Sequence, residues 1–261
     1  MTPNSVEGTA GLTFILGFPR SGTTLLGQIL ASDPSVAVLE EKPLLARTIA
    51  DFMDMPDGLA KLAALSNDEL AAYREDFWRL ARDYAGALDG KRVVEQTALN
   101  TVHLPLIERL FPGAGIVFAI RDPRDVVLSC FRRQFAPTRF TLEFSTLEST
   151  ARFYDATMRL AEACRNRLGL NFFDVRNEDV IAQFEAQTRR LCDFCGIPWG
   201  ETMRDFQEAA TDRQIGTRSA AQIRRGLTSE GVGIWRRYRA QMEPVLPLLA
   251  PWVERFGYPE D

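Results

Sequence analysis

Residues 12–30 constrain this chain more than any other stretch. An apolar run at 12–16, with Thr13 and Phe14 inside it, reads as a buried strand. Leu25, Leu26, Ile29 and Leu30 then fall on one face of a helix. Between them lies Gly17-Phe18-Pro19-Arg20-Ser21-Gly22-Thr23-Thr24. Strand, Gly-rich turn and helix start aim backbone N–H groups and the positive helix end at one anion, as in phosphate-binding loops. Gly17 and Gly22 have the spacing of a nucleoside-triphosphatase loop, but Thr23 stands where that loop keeps its Lys. Losing the Lys that reaches the β- and γ-phosphates argues against ATP and GTP. The cation is instead Arg20, whose planar fork grips two oxygens at once. An ordinary strand–helix corner is the plainer alternative. It leaves the crowding of Arg20, Ser21, Gly22, Thr23 and Thr24 into one turn without a reason.

A second unit of the same kind follows at 115–129. Its strand, 115–120, leads into Arg121-Asp122-Pro123-Arg124-Asp125-Val126-Val127-Leu128-Ser129. Pro123 suits the first turn of a helix, and Asp125 its positive end. Further strands are expected at 36–39, 92–95 and 171–175, with helical patterns between them. Together with 12–17 they predict an α/β protein: a three-layer, P-loop-like fold with a mainly parallel central sheet. Residues 1–261 read as a single domain, with helices at 42–90 placed to act as a lid. Ser66 to Glu69 forms a capping box. Leu70, Tyr73, Phe77, Leu80 and Tyr84 then share a helical face that suits a core better than a substrate platform. A last helical pattern runs from Trp235 to Phe256, where Pro244, Pro247 and Pro251 must break or kink it.

At 46% apolar, 261 residues can bury a full core. Lys and Arg number 31 against 35 Asp and Glu, a net charge of −4. No global basic field exists, so nucleic acid is not an expected partner. The N-terminal residues lack the pattern of a signal peptide, and no apolar stretch is long enough to span a membrane. A cytoplasmic protein is the expectation. Of the four cysteines, Cys192 and Cys195 are spaced C-x-x-C inside a helical pattern with Phe184, Thr188 and Leu191. With one His in the chain and no second pair, reduced core cysteines fit better than zinc, and no metal is expected.

Glu40-Glu41-Lys42-Pro43 follows the second expected strand. Adjacent carboxylates are commonly just solvated. These, however, stand at the carboxyl end of a strand, where open α/β sheets place their ligands.

Pro19-Arg20-Ser21-Gly22-Thr23-Thr24 resembles the 5′-phosphosulfate loop of sulfotransferases, which use 3′-phosphoadenosine 5′-phosphosulfate (PAPS) and release 3′,5′-adenosine bisphosphate (PAP). Its P-R-S-G-T-T form resembles the tyrosylprotein and heparan branches more than the cytosolic small-molecule branch. The resemblance runs from about residue 12 to residue 240. It is closest to bacterial sulfotransferase domains, including those joined to tetratricopeptide repeats, which this chain lacks. It implies that Arg20, Ser21, Gly22, Thr23 and Thr24 hold the phosphosulfate, with Arg20 neutralising charge as the S–O bond breaks. Arg121 and Ser129, at the family's spacing, would bind the 3′-phosphate, and a basic loop with Arg224 and Arg225 would close on it. Glu41 corresponds by position to the catalytic base of tyrosylprotein sulfotransferases. Sulfuryl transfer to an acceptor hydroxyl or amine, on a small molecule or a peptide, is the implied activity.

Two positions depart from the family. Gln96 stands where relatives keep a Lys near the bridging oxygen of the leaving group, and Asn177 replaces a Tyr of the adenine region. His103-Leu104-Pro105 invites comparison with the cytosolic branch. Counted back from Arg121, however, that branch's catalytic His falls near Leu99, so His103 reads as structural or solvated and inside a helix. Phe131, Phe135, Phe140 and Phe144 fit either an apolar acceptor pocket or the core. The alternatives to a sulfotransferase are a repurposed member that binds the nucleotide without transfer, and a P-loop kinase, which Thr23 argues against.

Overall fold

The computed structural model describes residues 11–207 and 227–260. Five strands form one wholly parallel sheet in the order β2-β3-β1-β4-β5: β1 Leu12–Gly17, β2 Val36–Glu40, β3 Arg92–Gln96, β4 Gly115–Ile120 and β5 Asn171–Arg176. Every residue of β1 is buried, as a central parallel strand covered on both faces requires. The main helices are α1 Thr23–Ala31, α2 Gly58–Ala64, α3 Asn67–Ala85, α4 Leu104–Leu110, α5 Pro123–Phe131, α6 Leu147–Arg167, α7 Phe184–Cys195 and α8 Leu246–Arg255.

Strand alternation splits the core in two. Ile15, Val94 and Val117 face α1 and α7, together with Leu26, Ile29 and Leu191. Phe14, Val93 and Ile116 face the other way, onto α3 to α6 and α8. The second core is aromatic near its centre: Phe77 lies 4.7 Å from Phe111, and Phe14 lies 5.9 Å from Phe111, ring centre to ring centre. A buried aromatic of this kind contributes roughly 3–5 kcal/mol against truncation to Ala. Helices on both faces of a parallel sheet give the three-layer α/β architecture that the sequence predicts.

Local signals account for the element ends. Ser66 accepts from the Glu69 N–H while the Glu69 carboxylate accepts from the Ser66 N–H, closing the expected capping box. Gly196 ends α7 in a left-handed conformation. Pro247 sits in the first turn of α8, and Pro251 lies within that helix on its solvent side. Before it, the chain forms short turns at Ile234–Tyr238 and Arg239–Met242.

Two expectations are corrected. Leu70 and Phe77 of α3 are buried with Arg74 and Ala81, and Tyr73 and Leu80 pack against the same core as expected, but Tyr84 is exposed, under the Lys42 ammonium. His103 is not inside a helix. It closes a 3-10 turn, Ala98–His103, immediately before α4, because Pro105 occupies the first turn of that helix. The four cysteines are free and buried. No described helix is long and apolar enough to cross a membrane.

Candidate functional site

The helices after β1 and β4 leave the sheet on opposite faces, α1 onto one core and α5 onto the other. Adjacent strands whose connections diverge in this way open a crevice at their carboxyl ends. The turn at 18–22 lies there, and its shape depends on unusual backbone. Arg20 has φ 73°, a left-handed conformation that costs a non-glycine residue on the order of 1 kcal/mol or more. At Gly17 a Cβ would stand 2.6 Å from the Ala119 carbonyl oxygen. At Gly22 (φ 105°) it would stand 2.6 Å from Asn177 Oδ1. Asn177 therefore lies against the start of α1, which the sequence did not show.

The turn is tied from several directions. The Thr101 hydroxyl accepts from the Gly17 N–H at 2.9 Å and donates to the Gly17 carbonyl at 2.7 Å. Cys130 Sγ donates to the Pro19 carbonyl at 3.3 Å. Arg20, nearly buried, donates from Nε to Ser129 Oγ at 3.1 Å. Arg121 Nη1 donates to the Arg20 carbonyl at 3.1 Å, and Nη2 to the Gly231 carbonyl. The structure thus brings the two motifs of the sequence, about a hundred residues apart, into one bonded constellation.

Beside it is a cavity of about 420 Å³ lined by Arg121, Asp125, Ser129, Arg132, Arg133 and Gly231. Arg132 and Arg133, which follow the end of α5 at Phe131, were not singled out from the sequence. Burial, then the neighbouring charges of Arg133 and Arg121, lowers Arg20 to about 10. Arg121 Nε is buried with no hydrogen-bond partner among the described residues. Clustered guanidiniums and an unsatisfied buried N–H are chemistry that fits a dianionic group such as a phosphate. Arg224 and Arg225 lie outside the described residues.

Carboxyl groups gather on the other side of β1. Glu41 follows β2 with φ 50°, and its N–H donates to the Gln96 carbonyl at 2.9 Å. Its surface is open to solvent. Even so, surrounding protein, and then the charge of Glu40, push its carboxyl above the usual range. Glu95, wholly buried on β3, accepts at Oε1 from Thr97 Oγ1 at 2.5 Å and Asn100 Nδ2 at 3.2 Å, while Oε2 has no partner among the described residues. Burial raises Glu95 to about 8, so it is protonated at neutral pH. Asn100 Oδ1 in turn lies 3.1 Å from His103 Nδ1. Burial lowers His103 to about 4, and this uncharged, buried ring serves the scaffold. Gln96 is buried in register with Ile15 and Glu40, and both polar atoms of its amide lack partners among the described residues. It presses on α1 at Gly27, where a Cβ would stand 2.2 Å from Gln96 Oε1.

The four phenylalanines divide. Phe144 is core, 5.8 Å from Phe18 and 4.9 Å from Phe135, ring to ring. Phe131 is exposed, and Phe140 stacks on Phe153 at 5.9 Å. Arg139 pairs with Asp54, joining the stretch after β2 to the loop before α6.

A parallel α/β sheet with helices on both faces and a glycine-rich turn at its carboxyl edge defines a P-loop-like fold. The sequence model of the sulfotransferase family matches residues 13–201, and the chain belongs to that family of enzymes. Protein-tyrosine sulfotransferase A of Caenorhabditis elegans is 25% identical over 96% of this chain and 68% of its own length. An uncharacterized protein of Aquifex aeolicus is 26% identical over 99% of this chain, which spans only 36% of that protein's length. Among solved structures, the sulfotransferase domain from the curacin biosynthetic pathway superposes with a TM-score of 0.63 at 17% identity, covering 95% of this chain and 98% of that one. Mouse sulfotransferase SULT7A1, complexed with PAP, gives 0.53 at 17% identity over 90% and 82%. Both likenesses concern the fold.

Proposed function

We propose that this protein moves a sulfuryl group from PAPS to an acceptor hydroxyl or amine, with Glu41 as general base. The observation that carries the reading is the bonded constellation of Arg20, Ser129 and Arg121 beside a cavity rich in arginine. Inorganic phosphate alone would not need two separate cationic grips. A nucleotide with a 5′-phosphosulfate and a 3′-phosphate does. The PAP held by the mouse neighbour supports the same assignment.

Bound PAPS supplies the activated sulfuryl group, and PAP is the leaving product. Arg20 and the N–H groups at the start of α1 hold the 5′ end and oppose the negative charge that develops as the S–O bond breaks. Arg121, Ser129 and Arg133 hold the 3′-phosphate and so fix the register of the donor. Arg224 and Arg225 are assigned to the same phosphate from the sequence. Glu41 takes the proton from the acceptor as its oxygen or nitrogen attacks sulfur. Its raised pKa brings its basicity closer to that task. Thr23 in place of the triphosphatase Lys fits a donor without a γ-phosphate. The chain is proposed to act as one domain, with residues 42–90 as a lid, tied through Asp54 to Arg139, covering the acceptor. The acceptor is a small molecule or a peptide. Four free, buried cysteines suit a reducing compartment, the cytoplasmic reading.

Gln96 supports a second reading, a nucleotide binder without transfer. It brings no charge to the place where relatives keep a Lys, and its amide is packed against α1. Labelled PAPS offered with a panel of phenols, alcohols, amines and tyrosine peptides separates the two. Label transfer that Glu41→Gln abolishes is the expected result. Release of no labelled product by a protein that binds PAP would establish the binder instead.

A further inference from the structure

Asp125 is out of place by charge alone. It lines the arginine cavity, is 2% exposed, and puts a carboxylate beside the position assigned to a phosphate. Coulomb's law gives such a group a repulsive effect on an anion, strongest where water is scarce. Its oxygens are occupied by backbone. Oδ2 accepts from the Gly233 N–H at 2.6 Å and Oδ1 from the Trp235 N–H at 2.9 Å. Gly233 has φ 70°, a conformation suited to glycine. Two residues earlier, the Gly231 carbonyl accepts from Arg121. Residues 231–235 are therefore tied twice to one short motif, once by Arg121 and once by Asp125. Trp235 is fully buried under Arg124, whose guanidinium lies 4.0 Å from the ring centre. Arg124 itself is held by Asp122 and by the carbonyls of Pro259 and Glu260. Of the R-D-P-R-D run, Arg121 faces the cavity, while Asp122, Arg124 and Asp125 bind distant backbone or one another.

We propose that Asp125 is a positioning residue for the 3′-phosphate site: it fixes residues 231–235 as the cavity wall against which Arg121 is held. This rests on the PAPS reading above. It makes the sign of one substitution decisive. In Asp125→Asn the cavity becomes more positive, which by charge alone tightens anion binding. The positioning role demands the opposite. Gly233 and Trp235 donate to different oxygens of Asp125, and Asn puts an NH₂ donor in place of one of them, so one N–H loses its acceptor and the wall loosens.

The test is calorimetric titration of wild type and Asp125→Asn with PAP and with 5′-AMP, which lacks the 3′-phosphate. PAP affinity is expected to fall about tenfold or more, the equivalent of one charge-assisted hydrogen bond, with 5′-AMP much less affected. Unchanged or tighter PAP binding would overturn the proposal. Should that variant not fold, Gly233→Ala perturbs the same wall and leaves every charge in place. It is expected to weaken PAP several-fold, and equal affinity contradicts the proposal. Failure of the wild type to bind PAP is a failure of the PAPS reading. Amide exchange still judges Asp125, because Gly233 and Trp235 should be protected in the wild type and exchange about tenfold faster in Asp125→Asn. Equal exchange rates sink the idea.

Discussion

On the β1–β4 side of the sheet's carboxyl edge, Arg20, Ser129 and Arg121 are bonded to one another and onward to Gly231. On the β2–β3 side, Glu41 is held by its backbone bond to Gln96 and carries its carboxyl at the surface. The first region is an interlocked receptor with its charges in place before any ligand arrives. The second joins an open carboxylate to a buried neutral one. On the proposed function, the difference is the division of labour in a bisubstrate transfer. A donor common to a family is met by a fixed grip, whereas an acceptor particular to one member is met by loops. Strand order enforces the separation, because β3 stands between β2 and β1 while β4 flanks β1 directly.

The largest expected effect that sharpens this contrast is on Glu41. Glu41→Gln should lower turnover by about 10²–10⁴-fold, the usual range for a lost general base, and leave PAP affinity within about twofold. A parallel loss of PAP binding would place Glu41 in the donor site and erase the contrast. The proposed base works ionised, and its pKa is raised. Wild-type kcat should therefore fall as pH drops through a value above 4.5, an acid limb that a kinetic pH profile reads directly.

A smaller effect is expected on the arginine side. Arg133→Ala should weaken PAP about tenfold and flatten the salt dependence of binding, since one phosphate contact is removed among several. Unaltered affinity would return Arg133 to the ordinary surface.

The smallest effect concerns the scaffold beneath Glu41. Glu95 keeps its proton to about pH 8 when folded, against an ordinary 4.5. Between those values the unfolded chain releases the proton and the folded chain does not, so stability falls as pH rises from 4.5 to 8. Glu95→Gln keeps the acceptor for Thr97 and Asn100 and removes this dependence. It should raise stability at pH 8 by about 1–4 kcal/mol, read as a flatter Tm against pH. An unaltered slope would mean that Glu95 is ionised in the fold.

What was legible in the sequence follows from range. Strand and turn signals are local, so all five strands and the turn around Arg20 came from short spacings, whereas the pairing of Arg121 with Ser129 came from the family resemblance. The spacing of Ser129 from Arg121 brings both to the same cavity because one helix, α5, carries the chain between them. Asp125 reached only as a helix-end charge, since its partners Gly233 and Trp235 lie more than a hundred residues on. Arg133 needed the observation that α5 ends beside the cavity. Glu95 looked like any strand carboxylate until its burial was known. Gln96 was seen as a departure from the family, but not that its amide turns onto Gly27.

Arg121 and Ser129, bonded to Arg20, are proposed to recognise a nucleotide by its 3′-phosphate. Calorimetric titration with PAP, set against ADP and ATP and repeated on Arg121→Ala, tests this most directly. PAP is expected to bind in clear preference to ADP and ATP. In the variant, PAP should bind about a hundredfold more weakly, as expected when a buried charge-assisted contact is lost. Preference for ATP, or PAP binding that Arg121→Ala leaves intact, would contradict the proposal.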